Sequence, residues 1–288
     1  MKINLGLTLF ILSTSLVSAQ ISYDRVQDLL ALSGKINHKG PNCVASVFYA
    51  SNLIDDYSFV ATASMASVFD STYCAEVSPE ERAKGDLVVV YGEAYRYEQY
   101  IPHVALLTDK DTAFSKMGFE TTDAAKVIQD VDLKLNPGGH IPVECLSTLS
   151  SSTDQQRCIG DEAAARYFRC DFENLRKELN ESGTFREIQN LRNTVLGATQ
   201  DSLVELKNKS AELSVKLIDK QNRLFPENPI SSTADTKKLE PFLSGFRIES
   251  YLFESMENLP KDFKLMLFEA ALLNSLDTQI SFLSEEAP

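Results

Sequence analysis

Hydrophobic and polar positions follow two different periods along the chain, and the change of period divides it near residues 150–170. Before that point short apolar runs alternate with turn signals. The run from Asp86 to Gly92 predicts a buried strand, and the runs on either side of the Asp109-Lys110-Asp111 turn predict a β-hairpin. From Cys170 onward apolar residues recur at steps of three and four, which indicates long amphipathic helices. The pattern predicts an α+β domain followed by a helical region.

One long stretch of the helical region has heptad-like spacing. Pro226 and Pro229 end this stretch, and further helical stretches are predicted around 242–256 and 263–283. A helical hairpin or small bundle explains this pattern. An intermolecular coiled coil is the alternative, but the broken run and its polar core positions favour packing within one chain. The positions in phase are Ile188, Leu191 and Val195, followed by Leu203, Leu206, Ser210, Leu213, Leu217, Lys220 and Leu224.

Residues 1–19 have the features of a secretory signal peptide. Lys2 precedes an apolar run, and the small residues up to Ala19 make a cleavage site. No later stretch is long and apolar enough to span a bilayer, so we expect no membrane insertion after signal removal. The sequence therefore predicts a periplasmic or secreted protein with three parts: a signal peptide at 1–19, an α+β domain at 20–160 and a helical domain at 161–288.

Charge and motifs exclude several classes of function. The formal net charge of −13 argues against nucleic acid and anionic membrane surfaces as partners, because both attract basic proteins. No glycine-rich phosphate loop is present, and the Asn136–His140 stretch lacks the strand-to-helix setting that such a loop needs. The spacing of cysteines and histidines does not match a zinc site. We therefore expect no cofactor and no metal.

The five cysteines of an exported chain can close at most two internal disulfides, which leaves one thiol. The pairing cannot be read from the sequence. Cys43 alone begins a helix-like stretch, whereas the others occupy polar or loop-like settings in which a disulfide would stabilise the fold. These others are Cys74, Cys145, Cys158 and Cys170.

Cys43 lies where a reactive thiolate would be favoured. Asn42 is a good helix N-cap and Pro41 cannot continue the helix backwards, so Cys43 falls in the first turn. Unpaired N–H groups and the helix dipole there favour an anion, which predicts a pKa below the usual value of about 8.5. The competing interpretation is that Cys43 forms a disulfide, as cysteines of secreted proteins often do.

A nucleophilic thiol also needs a base, and the chain has three histidines. His103 begins a strand-like segment after a loop, so we expect its ring at a sheet edge that a helix start can reach. His38 and His140 lie in predicted loops and are alternative bases.

This order of elements resembles the NlpC/P60 group of papain-fold cysteine peptidases and amidases. The resemblance covers 38–119 and consists of Cys43 at a helix start, the "KGDLVVV" strand and the "PHVALLTDKDTAFSK" hairpin. It implies a helix bearing the cysteine packed on a small antiparallel sheet, with Cys43 as nucleophile and His103 as general base. Ser115 falls at the third, histidine-orienting place, and Lys116 is the alternative, either there or holding the thiolate electrostatically. The family's "DCS" is "NCV" here, which replaces an acid and a hydroxyl beside the nucleophile with neutral groups.

Two classes of function follow. The first is an exported cysteine hydrolase that cleaves amide bonds, with cell-wall peptide as the substrate that the resemblance and the compartment suggest. The same pair of residues would also serve a thioesterase or an acyl or γ-glutamyl transferase. The second is a catalytically inactive papain-fold module that binds peptide while its helical half binds a protein partner.

Overall fold

The structure is a computed structural model that describes residues 21–32, 41–61, 73–94, 98–116, 125–129, 164–224, 226 and 260–285. For residues 32, 90–94, 98–103, 125–129 and 164–165 the description is limited to the backbone. The predicted signal peptide and the helix expected around 242–256 lie outside the described residues. So do His38, His140, Cys145 and Cys158.

The described elements form an α+β fold, as the sequence pattern predicts. The strands form one antiparallel sheet with the order β1-β6-β2-β3-β4-β5. The helices are α1 (Tyr23–Leu32), α2 (Cys43–Ala50), α3 (Phe172–Glu181), α4 (Gly183–Val195), α5 (Gln200–Leu224) and α6 (Lys261–Glu285). The strands are β1 (Cys74–Val77), β2 (Leu87–Ala94), β3 (Glu98–Leu107), β4 (Thr112–Lys116), β5 (Ala125–Gln129) and β6 (Ala164–Cys170).

Strand β6 lies beyond the boundary that the sequence suggests. It pairs with β1 on one side and β2 on the other, although the division at 160 and 161 assigns it to the helical domain. Cys74 of β1 and Cys170 of β6 are directly opposite in the ladder and form a disulfide. The sheet therefore extends to Cys170, and the helices begin at Phe172.

The "Gly-Asp" turn before β2 has a structural role. Gly85 has a φ of 93°, which glycine adopts without strain. Its N–H donates to the Leu107 carbonyl at 2.8 Å, and Leu107 N–H donates to the Asp86 carbonyl at 2.8 Å. The buried Asp86 carboxylate accepts two bonds of 2.9 Å from Arg169 and one of 2.7 Å from Ala83 N–H. Asp86 thus joins β2 to β6 and fixes the start of β2.

The long helices pack within the chain, with α5 and α6 side by side and α4 against both. The two polar residues in the apolar phase of α5 both have partners on α6. Ser210 Oγ donates to Asp277 at 2.5 Å, and Lys220 Nζ binds the buried Glu269 carboxylate at 2.7 Å. These pairs explain how a heptad-like stripe tolerates polar residues. None of the described helices combines the length and hydropathy needed to cross a bilayer.

Among the described residues, one hydrophobic core joins the sheet half to the helical half. Phe48 on α2 lies between them, because its ring centroid is 5.9 Å from that of Phe172 on α3 and 5.8 Å from that of Phe268 on α6. Val104 of β3 and Phe114 of β4 belong to the same core. The helical half therefore supports the helix that carries Cys43.

Candidate functional site

The site begins with the first turn of α2, which forms where the sequence predicts it. Asn42 is the N-cap, and its Oδ1 accepts a 3.0 Å bond from Ala45 N–H. Such a bond satisfies one of the helix's unpaired donors and fixes where the helix starts. Val44, Ala45 and Phe48 are buried in the core, so the apolar positions of α2 anchor the helix and Cys43 becomes its first residue.

Three main-chain N–H groups converge on the Cys43 sulfur. Two belong to the helix start, from Cys43 itself and Val44, and the third comes from Val104 in β3. Cys43 is the free cysteine among those described, and it is half-buried. The thiol therefore lies between a helix N-terminus and a strand, and the N–H groups around it favour a negative charge on the sulfur.

The position of Val104 explains why a sulfur fits there. Strands β3 and β4 pair through Leu106 with Phe114 and Leu107 with Ala113. Nearer to Val104, the bonds to the main chain come from side chains. The Val104 carbonyl accepts a 3.1 Å hydrogen bond from Ser115 Oγ, and the Val104 N–H donates to the Cys43 sulfur. Cys43 therefore lies where the backbone pairing of β3 with β4 gives way to hydrogen bonds from side chains.

Lys116 supplies positive charge at this site. It is only 4% exposed, and its charge lowers the pKa of the Cys43 thiol. Val104 is two residues before Leu106 and Lys116 is two residues after Phe114, so the antiparallel register places Lys116 opposite Val104. The Val104 N–H donates to the Cys43 sulfur. Of the two alternatives that the sequence offers for a third residue, Lys116 is the one whose charge acts on the thiol.

Ser115 makes main-chain contacts. Its buried hydroxyl lies 3.1 Å from the Val104 carbonyl and 3.3 Å from the Lys116 carbonyl. It holds β4 to β3 next to the thiol. Assignment of Ser115 as the histidine-orienting residue stays a prediction, because these contacts describe a structural role.

The expectation that His103 begins a strand after a loop is wrong, because β3 begins at Glu98 and His103 lies within it. The backbone of His103 nevertheless lies next to the site. It pairs with Val90 in the β2–β3 ladder and immediately precedes Val104. The main chain of the predicted base is therefore one residue from the N–H group that contacts the Cys43 sulfur. Its side chain lies outside the description, so its role as base stays a prediction.

The electrostatics of Cys43 differ from the sequence expectation in one respect. Burial raises the pKa of the thiol above its ordinary value. The bonds from Val104, Val44 and Cys43 N–H and the charge of Lys116 lower it, but they do not offset burial. The donors that the helix start predicts are present. The desolvation depends on how β3, β4 and α2 meet, which local sequence does not reveal.

Sequence reasoning missed the loop that supports this site. Residues 51–61 follow α2, and the Val60 carbonyl accepts a 2.7 Å bond from Asn42 Nδ2. Asn42 therefore binds the helix start with one side-chain atom and loop 51–61 with another. No sequence signal identifies Val60, because it contributes only a backbone carbonyl.

Other site types have less support. Within the described ranges, no group of three or more His, Cys, Asp or Glu residues is arranged to hold a metal ion. A cavity of about 440 Å³ lies between α5 and α6, on the helical half and away from Cys43. Lys207, Met266 and Asp277 are among its lining residues.

Comparison with known proteins finds no relative of this chain. No family model matches the chain, and no curated protein or solved structure matches it either. The similarity to NlpC/P60 enzymes consequently stays a prediction from the residues that carry it.

Proposed function

We propose that the protein is an exported cysteine hydrolase that cleaves amide bonds in cell-wall peptides, with a papain-like core of the NlpC/P60 type. The observation that carries the proposal is the convergence of main-chain N–H groups and the Lys116 charge on the free thiol of Cys43. A structural cysteine needs none of these groups. A nucleophile needs them because its reactive form is an anion.

The chemistry follows from the arrangement. His103 accepts the proton of the Cys43 thiol, and the sulfur attacks the amide carbonyl to form a tetrahedral intermediate. The N–H groups of Cys43 and Val44, at the start of α2, donate to the oxyanion. The protonated imidazole then gives its proton to the leaving amine as the C–N bond breaks. Water, activated by the same imidazole, hydrolyses the thioester and restores the thiol.

Lys116 acts by charge in this proposal. The charge of the buried Lys116 stabilises the thiolate and opposes the effect of burial on the pKa of Cys43. Because the sulfur is desolvated, we expect the substrate-free protein to keep its thiol protonated at neutral pH. The thiolate then forms as the proton moves to His103.

Digestion of purified peptidoglycan tests the proposal. We expect wild-type protein to release new amine termini, and Cys43→Ala and His103→Ala to lose at least about a thousandfold in rate. His140→Ala is the comparison, because the sequence offers His140 as an alternative base, and the proposal predicts that this variant keeps the wild-type rate. An inactive wild-type protein on peptidoglycan, together with no difference between wild type and Cys43→Ala on peptide, thioester and γ-glutamyl substrates, would refute the hydrolase.

A second candidate function is favoured by the raised pKa of Cys43. A papain-fold module that binds peptide without cleaving it would keep a buried, protonated thiol. Iodoacetamide alkylation separates the two candidates, since only a thiolate reacts rapidly. The hydrolase predicts that His103→Ala slows alkylation of Cys43 below pH 8. The binding module predicts that wild type and His103→Ala react alike, and only as pH rises through the raised pKa of the thiol.

A further inference from the structure

Loop 51–61 is held by side chains from the helical half of the chain. Its main-chain N–H groups donate to three acceptors on α4 and α6. Asp55 N–H binds Gln189 Oε1 at 2.9 Å, Phe59 N–H binds Gln279 Oε1 at 3.0 Å, and Ala61 N–H binds Ser275 Oγ at 2.8 Å. A loop that is buried against helices needs such partners for its backbone.

Arg192 of α4 fixes the centre of the loop. Its guanidinium makes two 2.9 Å bonds to the Asp56 carboxylate, with Arg192 0% and Asp56 2% exposed at their side chains. It also donates to the carbonyls of Ser58 at 3.0 Å, Phe59 at 3.1 Å and Leu272 at 3.4 Å. One buried side chain from the helical half therefore sets the path of the loop from Asp56 to Phe59.

Loop 51–61 connects the helical half to the start of α2. The Val60 carbonyl lies between the anchors at Phe59 and Ala61 and accepts 2.7 Å from Asn42 Nδ2. The other end of the Asn42 amide caps α2 at Ala45 N–H. The chain of contacts runs without a break from α4 and α6 through the loop to the residue before Cys43.

We propose that Asn42, Arg192 and Ser275 are positioning residues, which hold the first turn of α2 against Val104 of β3 so that the donors converge on the Cys43 sulfur. The helical half is then the support of the site. Its importance for catalysis rests on the proposed function, but its effect on the thiol does not.

Substitutions at the two ends of this chain test the proposal. Asn42→Ser keeps a capping oxygen but loses the bond to Val60, and Ser275→Ala removes the acceptor of Ala61 N–H. Asn42→Ala loses both cap and link. The matched controls are Asp171→Ala, which removes the N-cap bond to Asn174 of α3, and Ser281→Ala, which removes a bond to Asp277 O within α6.

The measured quantity is the rate of Cys43 alkylation by iodoacetamide as a function of pH, with peptide mapping. Burial is the largest influence on the pKa of Cys43 and raises it, so a loosened site moves the pKa downward, toward the ordinary thiol value. We expect Asn42→Ser and Ser275→Ala to react about fivefold faster than wild type at pH 7.5, because each variant loses one hydrogen bond about as strong as that of a helix N-cap. The control variants should keep the wild-type profile.

A wild-type pH profile in both Asn42→Ser and Ser275→Ala would overturn the proposal. If Asn42→Ala were shifted in that case, Asn42 would act only as a helix cap. Failure of the wild-type protein to cleave any substrate would refute the hydrolase but leave the alkylation profiles to decide the positioning role.

Discussion

Two connections next to the candidate site are stabilised in different ways. The turn 108–111 joins β3 to β4, and its closing bonds come from within the hairpin: the N–H groups of Thr108 and Asp109 bind the Thr112 carbonyl at 2.9 and 3.3 Å. Loop 51–61 follows α2 and depends on side chains more than 130 residues away, including Gln189 at a separation of 134 and Gln279 at 220. The turn closes through its own backbone, and Arg82 of the same half also donates to the Lys110 carbonyl at 2.8 Å and to Asp111 at 2.9 Å. The loop, in contrast, depends on side chains of the helical half.

This difference has an energetic consequence. The hairpin turn is partly exposed, and water can replace a lost side-chain contact there. The centre of loop 51–61 is buried with a charged pair inside it. Removing one partner of such a pair leaves an uncompensated charge in a medium that solvates it poorly. We therefore expect substitutions in the loop's anchors to have much larger effects than substitutions in the turn.

Replacement of Arg192 should have the largest effect. Arg192→Met is expected to lower the free energy of unfolding by about 3–5 kcal/mol, because it leaves the buried Asp56 carboxylate without its cationic partner. Urea unfolding followed by circular dichroism measures this change. Arg176→Met is the comparison at the partly exposed Asp55, where about 1 kcal/mol or less is expected.

A second substitution separates charge from packing. Asp56→Asn in the Arg192→Met background removes the unpaired charge, so the double variant should recover part of the lost stability. The distinction between a buried and an exposed anchor would be wrong if Arg192→Met and Arg176→Met destabilised the protein equally.

Local chemistry in the sequence predicts the elements that form the candidate site. Asn42 before Cys43 predicts the start of α2, because a side-chain cap acts within one turn. The apolar runs on either side of the Asp109-Lys110-Asp111 turn predict the hairpin of β3 and β4, because a hairpin is also specified by residues close together in sequence. The long helices are also predicted, and the polar Ser210 and Lys220 are explained once their partners on α6 are known.

What the sequence does not predict depends on distant partners. Arg192 belongs to an amphipathic helix, in which a charged residue is expected to face solvent, yet Asp56 and three carbonyls bury it. Strand β6 follows a polar stretch and gains its place by pairing with β1 and β2. The desolvation of Cys43 arises in the same way, from β3 and β4 packing over a helix start.

Asp55 gives an intermediate test of the comparison, because it lies in the same loop as Asp56 but at its exposed edge. Its side chain is 36% exposed and binds Arg176 and Arg25. Burial alone would raise the pKa of Asp55, but the hydrogen bonds from Arg176 and Arg25 lower it below its ordinary value. An acid whose pKa is lower in the folded state stabilises the fold above the unfolded pKa of about 3.9.

Asp55→Asn should therefore cost about 0.5–1 kcal/mol at pH 7, a value kept small by solvent screening. The difference from wild type should disappear as pH falls below about 4 and through the lowered pKa of Asp55, where the wild-type carboxylate is protonated. Urea unfolding between pH 7 and pH 3 measures it, with Glu212→Gln on the exposed face of α5 as the control. A difference that persists unchanged at pH 3 would show that the contact does not depend on charge.

The smallest effect is expected in the turn. Thr108 Oγ1 and Thr112 Oγ1 lie 2.7 Å apart, and Thr112→Val removes this bond while keeping a β-branched side chain of similar volume. We expect a loss of about 0.5 kcal/mol or less, since the backbone bonds that close the hairpin are retained and water reaches the remaining hydroxyl. The pH profile of Cys43 alkylation should not change, because turn 108–111 is four residues from Val104 along β3 and five residues from Lys116 along β4. A shift of that profile in Thr112→Val would mean that the hairpin also positions the thiol, and the support of the site could no longer be assigned to loop 51–61 alone.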